Sequence, residues 1–209
     1  MKIITIKKNI LLVICVLVFY TVKAQYIGVK AGYNYATLKG TVRNGASVRP
    51  YHGYYAGATL EFPLSKLFSL QVEAIYNRRG ANITTPVYGK AKLSLDYLSL
   101  PVMARFNVGK GINFHIGPQL EYRIDKPNFY FDGTEPVTRV NADGLDIIDA
   151  TMTVGIGYMT DAGWFFEIRW LQGLSSVFET DEPTLIHIGF SNDYNFKNRT
   201  LALGVGYRF

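Results

Sequence analysis

The sequence predicts an all-β chain: an eight-stranded antiparallel up-and-down transmembrane β-barrel that follows a cleaved signal peptide. Three observations lead there. After residue 25 no stretch has a helical period, whereas eight stretches alternate strictly between apolar and polar residues, the mark of a strand with two unlike faces. The connections between them alternate between short and long. The apolar face carries aromatic residues near both strand ends, while the polar face is rich in glycine and carries balanced charge.

The strands follow in order. The first, 26–38, sets Ile27, Val29, Ala31, Tyr33 and Tyr35 against Gly28, Lys30, Gly32 and Asn34. The second, 51–62, sets Tyr54, Ala56, Ala58, Leu60 and Phe62 against Tyr55, Gly57, Thr59 and Glu61. In the third, 67–78, Phe68, Leu70, Val72, Ala74 and Tyr76 oppose Ser69, Gln71, Glu73 and Asn77. In the fourth, 94–106, Leu98, Leu100, Val102, Ala104 and Phe106 oppose Tyr97, Ser99, Met103 and Arg105. The fifth, 112–124, alternates Ile112, Phe114, Ile116, Leu120 and Tyr122 with Asn113, His115, Gln119, Glu121 and Arg123. The sixth, 148–159, alternates Met152, Val154, Ile156 and Tyr158 with Asp149, Thr151, Thr153, Gly155 and Gly157. The seventh, 164–174, places Trp164, Phe166, Ile168 and Trp170 opposite Glu167 and Arg169. The eighth, 199–209, places Leu201, Leu203, Val205, Tyr207 and Phe209 opposite Thr200, Ala202, Gly204, Gly206 and Arg208. Pro101 and Pro118 fall inside strands, where a missing N–H interrupts a ladder, and are the weak points of the pattern.

Long connections are expected at 39–50, 79–93, 125–147 and 175–198, and short ones at 63–66, 107–111 and 160–163. An even strand count puts both termini on the short-turn side, the periplasm of an outer-membrane barrel. A soluble barrel would show the same alternation with its apolar face inward. The aromatics decide against it. Phe62, Phe68, Phe106, Tyr158, Trp164, Tyr207 and Phe209 gather toward the short-turn rim, and Tyr35, Tyr54, Tyr76, Tyr122 and Trp170 toward the other, as two interfacial girdles. The polar face balances Lys30, Arg105, Arg123, Arg169 and Arg208 against Glu61, Glu73, Glu121, Asp149 and Glu167, as an enclosed lumen requires, because a lone buried charge costs several kcal/mol.

Residues 1–24 have the form of a secretory signal peptide, and 25–209 form the barrel domain. Lys2, Lys7 and Lys8 precede an apolar run at 10–20 that is too short to span a bilayer as a helix, and Ala24 suits cleavage before Gln25. Removing that segment takes four of the 22 basic residues, so the formal charge of +6 falls to +2, with 18 basic residues against 16 acidic. The apparent basicity therefore does not point to nucleic acid. The single cysteine, Cys15, lies in the apolar run after Ile14, where lipidation would want a small residue, and the remaining chain has neither disulfide nor thiolate.

Several segments together carry a family resemblance. Ala24-Gln-Tyr-Ile-Gly-Val-Lys-Ala-Gly-Tyr-Asn, Asp96-Tyr-Leu-Ser-Leu-Pro-Val-Met-Ala-Arg-Phe, Phe114-His-Ile-Gly-Pro-Gln-Leu, Phe166-Glu-Ile-Arg-Trp-Leu-Gln-Gly-Leu and Asn198-Arg-Thr-Leu-Ala-Leu-Gly-Val-Gly-Tyr-Arg-Phe resemble, in that order, segments of the PorT-like outer-membrane β-barrel family of Gram-negative bacteria. The resemblance implies an eight-stranded outer-membrane barrel and accommodates both prolines. Its namesake takes part in protein secretion, but most members have no assigned role, so that role is not carried over.

No metal spacing or cofactor motif appears, and none is expected. His115 faces the lumen as a packed residue, while His52 and His187 are expected in solvent. His187, Ser191 and Asp193 do not make a hydrolase, since residues four apart on a strand lie roughly 13 Å apart. Glu167 and Arg169 belong to a charge network filling a lumen just wide enough for side chains. The expected function is therefore non-enzymatic: a monomeric scaffold in outer-membrane lipid that displays loops. A part in an envelope or secretion machine, a narrow solute channel and a lipid-modifying enzyme are the alternatives. Tyr207 and Phe209 form the expected signal for the barrel assembly machinery. Phe129, Tyr130 and Phe131 in the third loop are candidate contacts for an envelope protein or surface glycan.

Overall fold

Alternation at a period of two keeps Val, Ile, Leu and aromatic side chains on one side of an extended backbone, and eight of the nine strands among the described residues form where it runs, the ninth being a short strand at 128–131 in the expected third loop. The computed structural model describes residues 25–40, 47–85, 89–125, 128–131, 147–175 and 197–209. The strands are β1 (Tyr26–Lys39), β2 (Ser47–Pro63), β3 (Phe68–Thr85), β4 (Gly89–Gly109), β5 (Ile112–Arg123), β6 (Asn128–Phe131), β7 (Ile148–Met159), β8 (Trp164–Gly173) and β9 (Lys197–Arg208). Every pairing is antiparallel. Eight strands close a barrel in the order β3-β2-β1-β9-β8-β7-β5-β4, with β4 returning to β3. The first and last strands meet along a continuous register from Gly28↔Arg208 to Lys39↔Lys197. Closure leaves the eight-stranded wall without an edge in its middle depth.

The wall turns its apolar face outward. Val29, Leu100, Val102, Ile116, Ile156, Ile168 and Leu203 are exposed, while Lys30, Glu73, Glu121, Glu167 and Arg169 are buried inside. On β4 the outward apolar run Leu98–Phe106 spans nine residues, the length a tilted strand needs to cross a bilayer core. Trp164, Tyr207 and Phe209 stack edge-on in sequence at the short-turn rim, with ring centroids 5.3 and 5.2 Å apart. Phe68 and Phe106 form a second pair there at 5.3 Å. Phe62 keeps its outward register opposite Leu70 but is only 5% exposed, so it is a covered residue of the turn and not the exposed girdle member that alternation predicts.

The short connections are tight. Lys110 and Gly111 join β4 to β5, and Gly109, Lys110 and Gly111 all have positive φ, which costs glycine nothing and Lys110 some strain. The long rim departs from expectation at 79–93, predicted as a loop. There β3 continues to Thr85 and β4 starts at Gly89, paired from Arg79↔Leu95 to Thr85↔Gly89. β2 also starts earlier than alternation indicates, at Ser47, beyond a register shift between Pro50 and Tyr55. One wall, β2-β3-β4, thus stands higher than the rest. β5 runs out at Arg123, opposite Tyr97, and β6 takes its place beside β4 from Ala91↔Phe131 to Ser94↔Asn128.

Inside this rising wall the polarity reverses. Ala81, Ile83, Leu93 and Leu95 point inward and are essentially fully buried, while Asn82, Lys92 and Ser94 take the outer face. The pattern is that of a soluble sheet, apolar in and polar out.

The two awkward prolines are absorbed one ladder at a time. The β3–β4 register lapses between Val72↔Val102 and Ile75↔Ser99, beside Pro101, while Pro101 still faces Gln119 on β5. The β4–β5 register lapses between Pro101↔Gln119 and Ala104↔Ile116, beside Pro118, while β5–β7 runs unbroken through Pro118↔Met152. Each missing N–H therefore disturbs one neighbour only. At that lapse the strands approach so closely that a Cβ on Gly117 would meet the Val102 carbonyl oxygen.

Candidate functional site: the filled lumen

Inward positions carry the residues that a lipid-facing wall excludes, and the closed barrel forces them together. Toward the short-turn end, Glu73 of β3 lies at the centre. Arg169, across the lumen on β8, grips it with two parallel bonds, Nη1 to Oε2 at 2.8 Å and Nη2 to Oε1 at 2.7 Å. Such a fork gives both strength and orientation. Lys30 of β1 reaches Glu73 at 2.8 Å and Glu167 at 2.9 Å, and Arg169 also meets Glu167 at 2.9 Å. The Tyr55 hydroxyl donates to Glu167 at 3.1 Å. Gln71 donates to Glu73 and accepts from Arg105, which pairs with Glu61 at 3.3 Å, as Arg208 does at 3.5 Å. Four cations and three carboxylates thus join in one network in which Arg208 alone is substantially exposed.

Tyr55 fits because Gly32 and Gly204 leave room for it: a Cβ on Gly32 would lie 2.5 Å from its ring, and one on Gly204 would strike its hydroxyl. His115 is accommodated by Gly155 in the same way. It is buried, with Nδ1 3.4 Å from Asn113 Oδ1. His52 instead sits on the outer wall, bonded to the Tyr33 hydroxyl and flanked by the Tyr35 ring at 5.8 Å.

Above Glu73 lies an apolar layer of Tyr55, Ile75, Leu171 and Ala202. A cavity of ≈ 10 Å³ bordered by Asn34, Asn77, Gln119 and Arg169 is the size of about one water.

Higher still is a second network, centred on Glu121. Arg79 pairs with it, and Gln119, Ser99 and Thr151 donate to it. The Arg79 guanidinium stacks 4.9 Å from the Tyr97 ring centroid. Asn198 links Tyr97 to Asp149 at 3.4 and 2.9 Å, and Ser175 also bonds Asp149. Arg123, opposite Tyr97, is buried at this level. The ten charged residues expected in the lumen all face inward, but nine of them divide between two networks instead of forming one, and Arg123 is buried at the level of the upper one.

Arg79 is the lumen residue that sequence reasoning missed. It lies in the segment expected as a loop, yet it is wholly buried, and its signal is its even spacing, six and two residues, from Glu73 and Asn77. Phe165 was likewise passed over, although it faces inward as a buried residue near the short-turn rim.

Among the described residues no three His, Cys, Asp or Glu side chains gather as metal ligands. His187, Ser191, Asp193 and residues 1–24, expected as a signal peptide, lie outside the described residues. Phe129, Tyr130 and Phe131 lie on β6, of which only the backbone is described.

A closed eight-stranded wall, apolar outside and ion-paired inside, defines a small membrane barrel of the bacterial outer-membrane type. Residues 24–179 match the model of the outer membrane protein beta-barrel domain, and the chain belongs to that family. No curated protein sequence matches it significantly. Among solved structures it is similar to neisserial surface protein A, with a TM-score of 0.54 and 12% identity over 90% of this chain and 100% of that one. It is also similar to Ail, the attachment invasion locus protein of Yersinia pestis, with a TM-score of 0.50 and 14% identity over 88% and 98%. At such identities the likeness is one of fold.

Proposed function

We propose that the protein is a non-catalytic scaffold of the outer membrane, which uses a plugged barrel to hold its long-loop rim at the cell surface. In this reading residues 1–24 direct export, both termini are periplasmic, the chain is a monomer, and Tyr207 and Phe209 serve recognition by the barrel assembly machinery. The observation that carries it is the lumen. Among the described residues two ion-paired networks and an intervening apolar layer occupy the inward positions, and a cavity between them has room for about one water. Such an interior anchors; it does not transmit solutes. The rising β2-β3-β4 wall, extended by β6, which carries Phe129, Tyr130 and Phe131, is the platform we assign to contacts with an envelope protein or surface glycan.

Planar-bilayer recording of the refolded protein tests this directly. No steady conductance is expected, and stable openings would sink the scaffold reading in favour of a narrow channel. Crosslinking and pull-down from intact envelopes addresses the PorT-like alternative, because a component of an envelope machine would recover defined partners.

A further inference from the structure

Outward-facing basic residues are informative in a membrane barrel, because an unpaired cation on the lipid side is tolerated only at headgroup level. Across β8, β9 and β1 the outward rows can be read upward from mid-depth. One row is Trp170–Leu201–Tyr35. The next is Gln172–Arg199–Thr37, and the next Lys197–Lys39. The belt row of two aromatics around a leucine is thus followed immediately by three cations. Aromatic belts mark the level of the headgroups.

Two features make this patch unlike ordinary surface lysines. Lys39 and Lys197 are direct cross-strand partners, an arrangement that like charges make unfavourable unless an anion lies between them. Arg199 is held in place from both sides, with Nε 3.3 Å from Gln172 Oε1 and its guanidinium 5.4 Å from the Trp170 ring centroid. The strands offer no compensating acid. Glu61, Glu73, Glu121, Asp149 and Glu167 face the lumen, and Asp96, the one strand carboxylate on the outer face, is gripped by Arg78 at 2.5 and 2.6 Å. Arg78 stands just above Tyr76 on the β3–β4 side, so the two outer-face cation sites at this level differ in one respect: one is neutralised within the wall and the other is not.

We propose that Lys39, Lys197 and Arg199 form a binding site for the phosphate group of a phosphorylated membrane lipid lodged against Trp170. The lipid's acyl chains would lie along the Leu201–Leu203–Val205 face and its phosphate between the paired lysines. This site is separate from the lumen and does not depend on the scaffold reading.

The full chain carrying Trp164→Phe, so that emission reports Trp170, is refolded into phosphatidylcholine vesicles with or without a minority of phosphatidic acid. Phosphatidic acid is expected to shift Trp170 emission and to raise the folding equilibrium constant by about fivefold per engaged cation. The double variant Lys39→Gln/Lys197→Gln should lose that response, yet in phosphatidylcholine alone it should be at least as stable as its parent, since a repulsive pair has been removed. An equal response in parent and variant would overturn the proposal. So would inorganic phosphate reproducing the whole effect in phosphatidylcholine, which would make the ligand a soluble anion. If the double variant does not fold, photo-crosslinking of the unaltered protein with an aryl-azide phosphatidic acid decides the matter: label on the strand segments around Lys39 and Arg199 supports the site, and label elsewhere refutes it.

Discussion

Along β3 a single alternation serves two opposite surroundings. From Phe68 to Arg79 the inward side chains are Ser69, Gln71, Glu73, Asn77 and Arg79, broken only by Ile75, and the outward ones are Leu70, Val72, Ala74 and Tyr76. Only two and four residues further on, Ala81 and Ile83 point inward, with Asn82 between them outward. The backbone does not change; the solvent outside it does. Within the band, hydrocarbon takes the apolar face and the lumen must pair its charges. Above the band, water takes the outer face and the interior reverts to an ordinary apolar core. The switch falls at Tyr76, Arg78 and Asp96, where the wall passes from lipid to water.

Mutations can break this contrast. The largest effect is expected for Glu73→Leu, which leaves Lys30 and Arg169 buried without their shared carboxylate and should cost about 3–5 kcal/mol in urea unfolding from lipid vesicles. Next, Leu95→Ala opens a cavity in the rising wall and should cost about 2–5 kcal/mol. Leu100→Ala, facing lipid that refills the space, should cost only about 1 kcal/mol. Equal losses for the two leucines would show that the upper wall has no true core. A lysine separates the regions from the other side: Val102→Lys, outward in mid-band, should cost about 2–4 kcal/mol. Above the band a lysine already stands outward on the same strand, and Lys92→Gln, at that exposed position, should stay within about 0.5 kcal/mol, as surface substitutions do. A modest effect is expected for Arg78→Ala at the boundary, whose partly exposed pair with Asp96 should contribute about 0.5–1 kcal/mol in the same assay.

This contrast also explains what the sequence made legible. Strand phase could be read because the band imposes one rule throughout: Lys30, Glu73, Arg105 and Arg169 stand out on a polar face opposite Val, Leu and Ile. That rule stops applying after Arg78. The strand continues through Arg79-Gly-Ala-Asn-Ile with the opposite polarity, so a membrane template reads it as a loop and loses Arg79. Pairing across the lumen was not legible at all. Glu73 and Arg169 are 96 residues apart, and only the closed circumference decides that they meet and that Glu121 belongs to a different network. Pro101 and Pro118 looked like flaws because a single strand does not show which neighbour bears the loss.

The seam between β1 and β9 has a consequence for how the molecule comes into being. Its twelve consecutive pairs, from Gly28↔Arg208 to Lys39↔Lys197, join segments separated by nearly the whole chain, so the loop entropy of closure is met only at the last step. Until that step, two full-length strands carry unsatisfied amides and carbonyls that hydrocarbon cannot hydrate. The wall therefore cannot accumulate in lipid strand by strand. It must enter already closed, or be held with its open edges paired to another sheet until the seam zips. The permanence of the finished barrel and the difficulty of starting it are the same twelve rungs, counted once after closure and once before.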